Sequence, residues 1–113
     1  MTGSAPDKVL IIASNTGLYP ALLLADGART HDIAADILFS GDSVAAVVTT
    51  NLDEATEAML NEFTNAGGYV YAEQAALDAA SLGRSDLWPG VKDVLPIEQF
   101  QHHASEHTLV VTL

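Results

Sequence analysis

The sequence predicts one α/β domain, with about five mostly parallel strands alternating with helices that cover both faces of the sheet. Three observations carry that expectation. Short apolar runs rich in β-formers recur at 8-KVLIIAS-14, 33-IAADILFS-40, 69-YVYA-72, 91-VKDVL-95 and 108-TLVVTL-113. Segments of helical character, bounded by Pro, Gly and capping residues, lie between them. No internal repeat, low-complexity run or linker interrupts the alternation, and strand-helix-strand order of this kind builds a parallel sheet.

The first run, KVLIIAS, is apolar on both faces, as a strand buried between layers requires. Pro20 then suits the first turn of a helix, where its missing N–H costs nothing, and that helix should run to Thr30 or His31. Gly27 weakens it unless close packing on the sheet needs the missing side chain. IAADILFS is the second strand, closed by Gly41-Asp42. A helical turn, 43-SVAAVVT-49, leads to Asn51, whose spacing to Glu54 predicts an N-cap with a returning carboxylate. The helix that follows should span 52–66, with Leu52, Ala55, Met59, Phe63 and Ala66 forming the core stripe. Gly67-Gly68 stops it and opens the third strand. A third helix is expected over 74–82, stopped by Gly83, then an edge strand at 91–95. Pro96 starts a short helix over IEQFQHHA, and TLVVTL is the fifth strand.

Composition narrows the function. The 113 residues, 49% of them hydrophobic, suffice for a single core. Residues 1–7 are expected to be a flexible N-terminal segment and 8–113 the domain. Fifteen acidic residues face only Lys8, Arg29, Arg84 and Lys92, a net charge of -11. Phosphate backbones are repelled by such a surface, so no nucleic-acid partner is expected. Nor does MTGSAPDK provide a signal peptide, and no apolar run approaches the ~20 residues of a membrane span, so the expectation is a cytoplasmic protein without a membrane partner. The chain has no cysteine, which excludes disulfides, thiolate metal sites and a cysteine nucleophile.

In a parallel sheet the loops leaving the carboxyl ends of the strands collect at one edge, the usual place for a ligand. Here those loops are Ser14–Tyr19, Ser40–Ser43 and Ala72–Gln74. Candidate ligand-binding residues are therefore Asn15, Thr16, Tyr19, Ser40, Asp42 and Glu73. The Ser14-Asn15-Thr16-Gly17 turn precedes a helix N-terminus, which can present amides to an anion. A flavodoxin phosphate loop carries further hydroxyls past the glycine, whereas Leu18, Tyr19 and Pro20 follow here. A turn that only caps a helix accounts for the same residues, and no cofactor is expected. Receiver domains place acidic residues at the end of the first strand, where this chain has Ser14 and Asn15. Asp42 and Glu73 are the carboxylates that topology brings to this edge for acid–base work, yet both also suit helix starts. His103 and His107 stand at helical spacing near Glu106, but a third ligand is not identifiable, so no metal and no catalytic residue are assigned.

Four segments together resemble the DsrE/DsrF/DsrH-like family of small sulfur-relay proteins: KVLIIASNTGLYPALLLADGA, ADILFSGDSVAAV, GGYVYAEQAALDAASLG, and GVKDVLPIEQF with TLVVTL. The resemblance covers nearly the whole chain, through patterns of small and apolar residues. It implies a flavodoxin-like three-layer sandwich that assembles as a homo-oligomer, a trimer or hexamer, and the exposed aromatic candidates Tyr19, Tyr71 and Trp88 are consistent with such contacts. Active members carry a cysteine just after the third strand, where this chain has Ala72 and Glu73. The resemblance therefore implies a noncatalytic subunit, a scaffold or ligand-binding protein that cannot carry persulfide itself, with a cysteine-bearing sulfur-relay protein as a candidate partner. The alternative is an enzyme using Asn15, Thr16, Asp42 and Glu73.

Overall fold

A computed structural model describes residues 6–113. Strand β1 (Lys8–Ala13) is followed by helix α1 (Leu18–Thr30), strand β2 (Ala34–Phe39), a 3-10 segment over Gly41–Val47 and a second over Thr49–Asn51. Helix α2 (Glu54–Asn65), strand β3 (Tyr69–Glu73) and helix α3 (Gln74–Ala79) come next. Strand β4 (Asp93–Leu95), helix α4 (Ile97–Gln101) and strand β5 (Thr108–Thr112) complete the described chain. All four strand pairings are parallel, in the order β4-β3-β2-β1-β5. The expected five-stranded α/β sheet is the observed one. Of the segment expected to be flexible, residues 1–5 lie outside the described residues. Asp7 bonds to both neighbours of β1, donating to His107 O and accepting from Ala34 N.

Alternation along the strands divides the core. Val9, Ile11, Ala13, Ile37, Phe39, Val70 and Ala72 pack toward α1, α2 and α3. Leu10, Ile12, Leu38, Tyr71 and Leu95 turn to the other face, where Phe100 of α4 covers them. This division follows from connectivity: three successive right-handed crossovers step from β1 to β4 with their helices on one side, and the return to β5 lays α4 on the other. The second face also holds Asp36, nearly buried, which meets Lys8 Nζ at 3.0 Å and accepts from Tyr69 N at 3.2 Å. A buried carboxylate requires such partners. Burial and the nearby Asp36 charge push the Tyr71 phenol above its ordinary range.

Several local expectations are corrected. Helix α1 begins two residues earlier, at Leu18, which leaves Pro20 in its first turn as expected. The N-cap of α2 is Asp53, not Asn51: Asp53 Oδ1 accepts from Thr56 N at 2.8 Å and Thr56 Oγ1 accepts from Asp53 N at 3.1 Å. Asn51 instead donates from Nδ2 to Ala45 O, closing the preceding turn. The core contacts of α2 centre on Leu60 and Phe63, while Ala55 and Ala66 are exposed. The helix is rotated to bury a branched side chain in place of two methyls, which removes more apolar surface from water. Helix α3 ends at Ala79, well before Gly83, with Ser81 taking the left-handed conformation at φ 57°. Helix α4 ends at Gln101, so His103 and His107 share no helix face. His103 instead packs on Tyr71 and Phe100. Tyr71 and Trp88, expected to be exposed, are 5% and 4% exposed, because Tyr71 lies beneath α4 and Trp88 closes the first core; Tyr19 is exposed.

The Asp53 cap makes a pH prediction. Its bonds from Thr56 hold the carboxyl below the usual range. A carboxylate with a lowered folded value stabilises above its unfolded value, near pH ~4, and that contribution disappears as pH falls through the folded value. Asp53→Ala should therefore lower the urea midpoint at pH 7, and the gap from the unsubstituted protein should close on acidification below pH ~4.

Candidate functional site

The loops at the carboxyl edge are joined to one another before any ligand is considered. Ser14 N and Asn15 N both donate to Leu113 O, at 3.0 and 3.3 Å, and Ser14 Oγ donates to the same oxygen at 3.1 Å. Thr16 N donates to Ser43 Oγ at 2.8 Å, and the Ser43 hydroxyl donates to Thr16 O at 2.6 Å. Ser40 N donates to Ala13 O at 2.8 Å and its carbonyl accepts from Ser43 N. The amides of Ser14, Asn15 and Thr16, which an anion would need from this turn, are thus bonded within the chain. Ser43 follows the Gly41-Asp42 stop of the second strand, and that hydroxyl so placed was the available signal for the latch.

Gly41 makes the junction tight. It sits at φ +53°, and a Cβ there would lie 2.9 Å from the Ser14 carbonyl oxygen. Glycine meets both demands, the left-handed backbone and the close approach.

Two open clefts flank the 3-10 segment over Gly41–Val47. One, of about 350 Å³, lies among Thr16, Gly17, Asp42, Ser43, Asn51 and Thr56. The other, of about 280 Å³, lies between that segment and α3, walled by Asp42, Val44, Ala76, Ala79 and Leu82. Asp42 lines both. Of the sequence-predicted residues, Thr16 and Asp42 are brought together, whereas Ser40 is buried beneath the loops and Asn15 is exposed beside them. Tyr19 lines a different groove, between α1 and α2, with Met59, Glu62 and Phe63.

Glu73 stands elsewhere on the same edge, pairing in register with Leu95 and opening α3 without a side-chain capping bond. The chain leaves β3 for α3 on one face and leaves β4 for α4 on the other. The strand ends at Glu73 and Leu95 therefore flank the topological switch point, where open α/β sheets place ligands. Ala72, one residue earlier, is fully buried and Glu73 is half-buried.

All four cationic side chains are engaged: Lys8 with Asp36, Arg29 with Asp26, Arg84 with Asp93, and Lys92 over the Tyr69 ring at 4.8 Å. Most of the fifteen carboxylates consequently face solvent without a cation. Among the described residues no group of three or more His, Asp or Glu side chains converges as a metal site would, and no helix is long and apolar enough to cross a membrane.

This architecture is a flavodoxin-like α/β sandwich, and its solved likenesses place it more narrowly among DsrE-like folds. The protein of unknown function MTH1491 from Methanobacterium thermoautotrophicum superposes with a TM-score of 0.70 at 18% identity, over 94% of this chain and 97% of that one. The ychN protein from E. coli gives a TM-score of 0.65, also at 18% identity, over 94% of this chain and 99% of the other. No protein-family model and no curated protein matches the chain.

Proposed function

We propose that this chain is a noncatalytic DsrE/F-like subunit, a cytoplasmic homo-oligomeric scaffold that binds a small ligand at its carboxyl edge and serves sulfur metabolism without carrying sulfur itself. The observation that carries this reading is the pair Ala72-Glu73 at the end of β3, in a chain with no cysteine. Sulfane sulfur is carried by a thiolate, and neither a methyl nor a carboxylate performs that attack. Assembly as a trimer or hexamer, and docking of a cysteine-bearing relay protein, belong to the same reading. Nucleic acid does not, because the surface presents uncompensated negative charge.

Placing a thiol tests whether the edge is relay-like. Glu73→Cys, half-exposed at the switch point, should gain one sulfur atom from a small persulfide donor, read by intact-protein mass. Ala72→Cys, in a fully buried position, should gain none, and neither should the unsubstituted protein. If Glu73→Cys stays unmodified while a surface cysteine elsewhere is modified, the relay-like reading of the edge fails. Light scattering at micromolar concentration tests assembly, and a monomer would remove the scaffold role.

A second reading has one observation in its favour: Asp42 lines both clefts and stands near Thr16. An enzyme that used Asn15, Thr16, Asp42 and Glu73 would lose turnover in Asp42→Ala and Glu73→Ala. In the binding reading these variants change ligand affinity alone.

A further inference from the structure

The two edges of the sheet are treated differently. At β4 the strand is only three residues long, flanked by Lys92 and Pro96, and Arg84 reaches across to Asp93 Oδ1 at 3.1 Å and to Lys92 O at 3.0 Å. Short length, charge, proline and a capped carbonyl are the usual means of blocking further strand addition. None of these occurs in β5. Its five residues, Thr-Leu-Val-Val-Thr, are uncharged, and Leu109 and Val110 are 50% and 41% exposed on opposite faces. Among the described residues no strand pairs with its outer side.

The free backbone groups can be assigned. Leu113 N donates to Ile12 O, Leu113 O accepts from Ser14 N, and His107 O accepts from Asp7 N, so odd-numbered residues here point toward β1. The amides and carbonyls of Val110 and Thr112, and the carbonyl of Thr108, therefore point outward; Thr108 N is turned to Ser105 O.

We propose that β5 is a self-association edge, pairing antiparallel with β5 of a second copy about a two-fold axis at Val110. The proposal rests on the homo-oligomer reading in its hexameric form and names the two-fold contact that joins two trimers, since a trimer alone has no two-fold axis. The occupant follows from the sequence, because Thr-Leu-Val-Val-Thr reads nearly the same in both directions. In this register the two Val110 residues exchange amide–carbonyl bonds, and each Thr112 N–H meets the partner's Thr108 carbonyl. Side chains pair like with like: Thr108 with the partner's Thr112, Val110 with the partner's Val110, and Leu109 with the partner's Val111. Such β-branched cross-strand pairs are favourable, and an isologous contact closes on itself. Each copy carries a charge of -11, so pairing should strengthen as added salt screens the repulsion.

The absence of native cysteine makes the test clean. Opposed residues of a bonded antiparallel pair have Cα atoms about 5.5 Å apart, within disulfide reach. Val110→Cys should therefore form a covalent dimer under mild oxidation, at least ~10-fold faster than Leu23→Cys, a control on α1 that is more exposed, at 54% against 41%. Val110→Lys and Val110→Glu should each break the two-fold contact in sedimentation, through like charges at the axis, leaving a smaller oligomer, and mixing them should restore a mixed assembly that mass identifies. Crosslinking no faster than the control, or oligomers unchanged in both charge variants, overturns the interface while leaving the homo-oligomer reading intact. An unsubstituted trimer likewise overturns the interface alone, and a monomer overturns both. Crosslinking only after residues 1–5 are removed would make that segment the occupant, and the proposal would fall.

Discussion

Phe100→Ala is expected to lower the unfolding free energy by about 3–5 kcal/mol, the cost of deleting a fully buried aromatic ring. The ring is the principal cover of the second sheet face, lying edge-on to Tyr71 at 5.6 Å between centroids and touching the small cluster of Leu10, Ile12, Leu38 and Leu95. Relaxation offers little relief. Helix α4 has only five residues and cannot bring a second large side chain over the same spot, because Ile97 already packs at the cluster's margin. With a urea slope of about 1–3 kcal/mol/M, the midpoint should fall by roughly 2 M with the slope unchanged. Leu23→Ala, at an exposed position on α1, should stay within ~0.5 kcal/mol of the starting protein. A loss below ~1 kcal/mol for Phe100→Ala would mean that something other than α4 shields that face.

The same two-sided core explains which parts of the fold were legible in the sequence. Buried strands declare themselves because both faces must be apolar, and KVLIIA and ILF have no other economical reading. Helix rotation is less visible. Met59 and Leu60 are both apolar neighbours on α2, and only the presence of α1 beside it decides that Leu60 turns inward. Capping was ambiguous for a related reason: Asn51 and Asp53 are both good N-cap residues, and Thr56 rather than Glu54 supplies the reciprocal bond. Aromatic exposure was the least accessible, since Tyr71 is buried by a helix that arrives from 26 residues later in the chain. At the candidate site, strand order alone foretells that the loops after β1 and β2 meet at one edge. The Ser43 latch that joins two of them depends on a long-range contact which spacing alone does not reveal.

That latch also sets the second large effect. Gly41→Ala should destabilise by about 2–5 kcal/mol, the sum of roughly 1–2 for a left-handed conformation at a residue with a side chain and roughly 1–3 for overpacking. The new methyl would press on the Ser14 carbonyl, and Ser14 cannot withdraw without breaking its bonds to Leu113 or pulling Thr16 from Ser43. Stability and site geometry are therefore coupled: the backbone that keeps β1, β2 and the chain beyond β5 together also holds Asp42 between its two clefts. Gly27→Ala provides the contrast. Gly27 is an exposed helix-interior residue with nothing within 4 Å of an added Cβ, so the close packing that would have justified it is not there. Alanine should raise stability at that position by about 0.5–1 kcal/mol through reduced chain entropy and better helix propensity. Opposite signs for the two substitutions, read as urea midpoints under one set of conditions, would locate the constraint at the β1–β2 loop junction rather than in glycine content. A neutral Gly41→Ala would mean that the loops slide past one another freely, and the clefts beside Asp42 would then lack the rigid wall that selective binding needs.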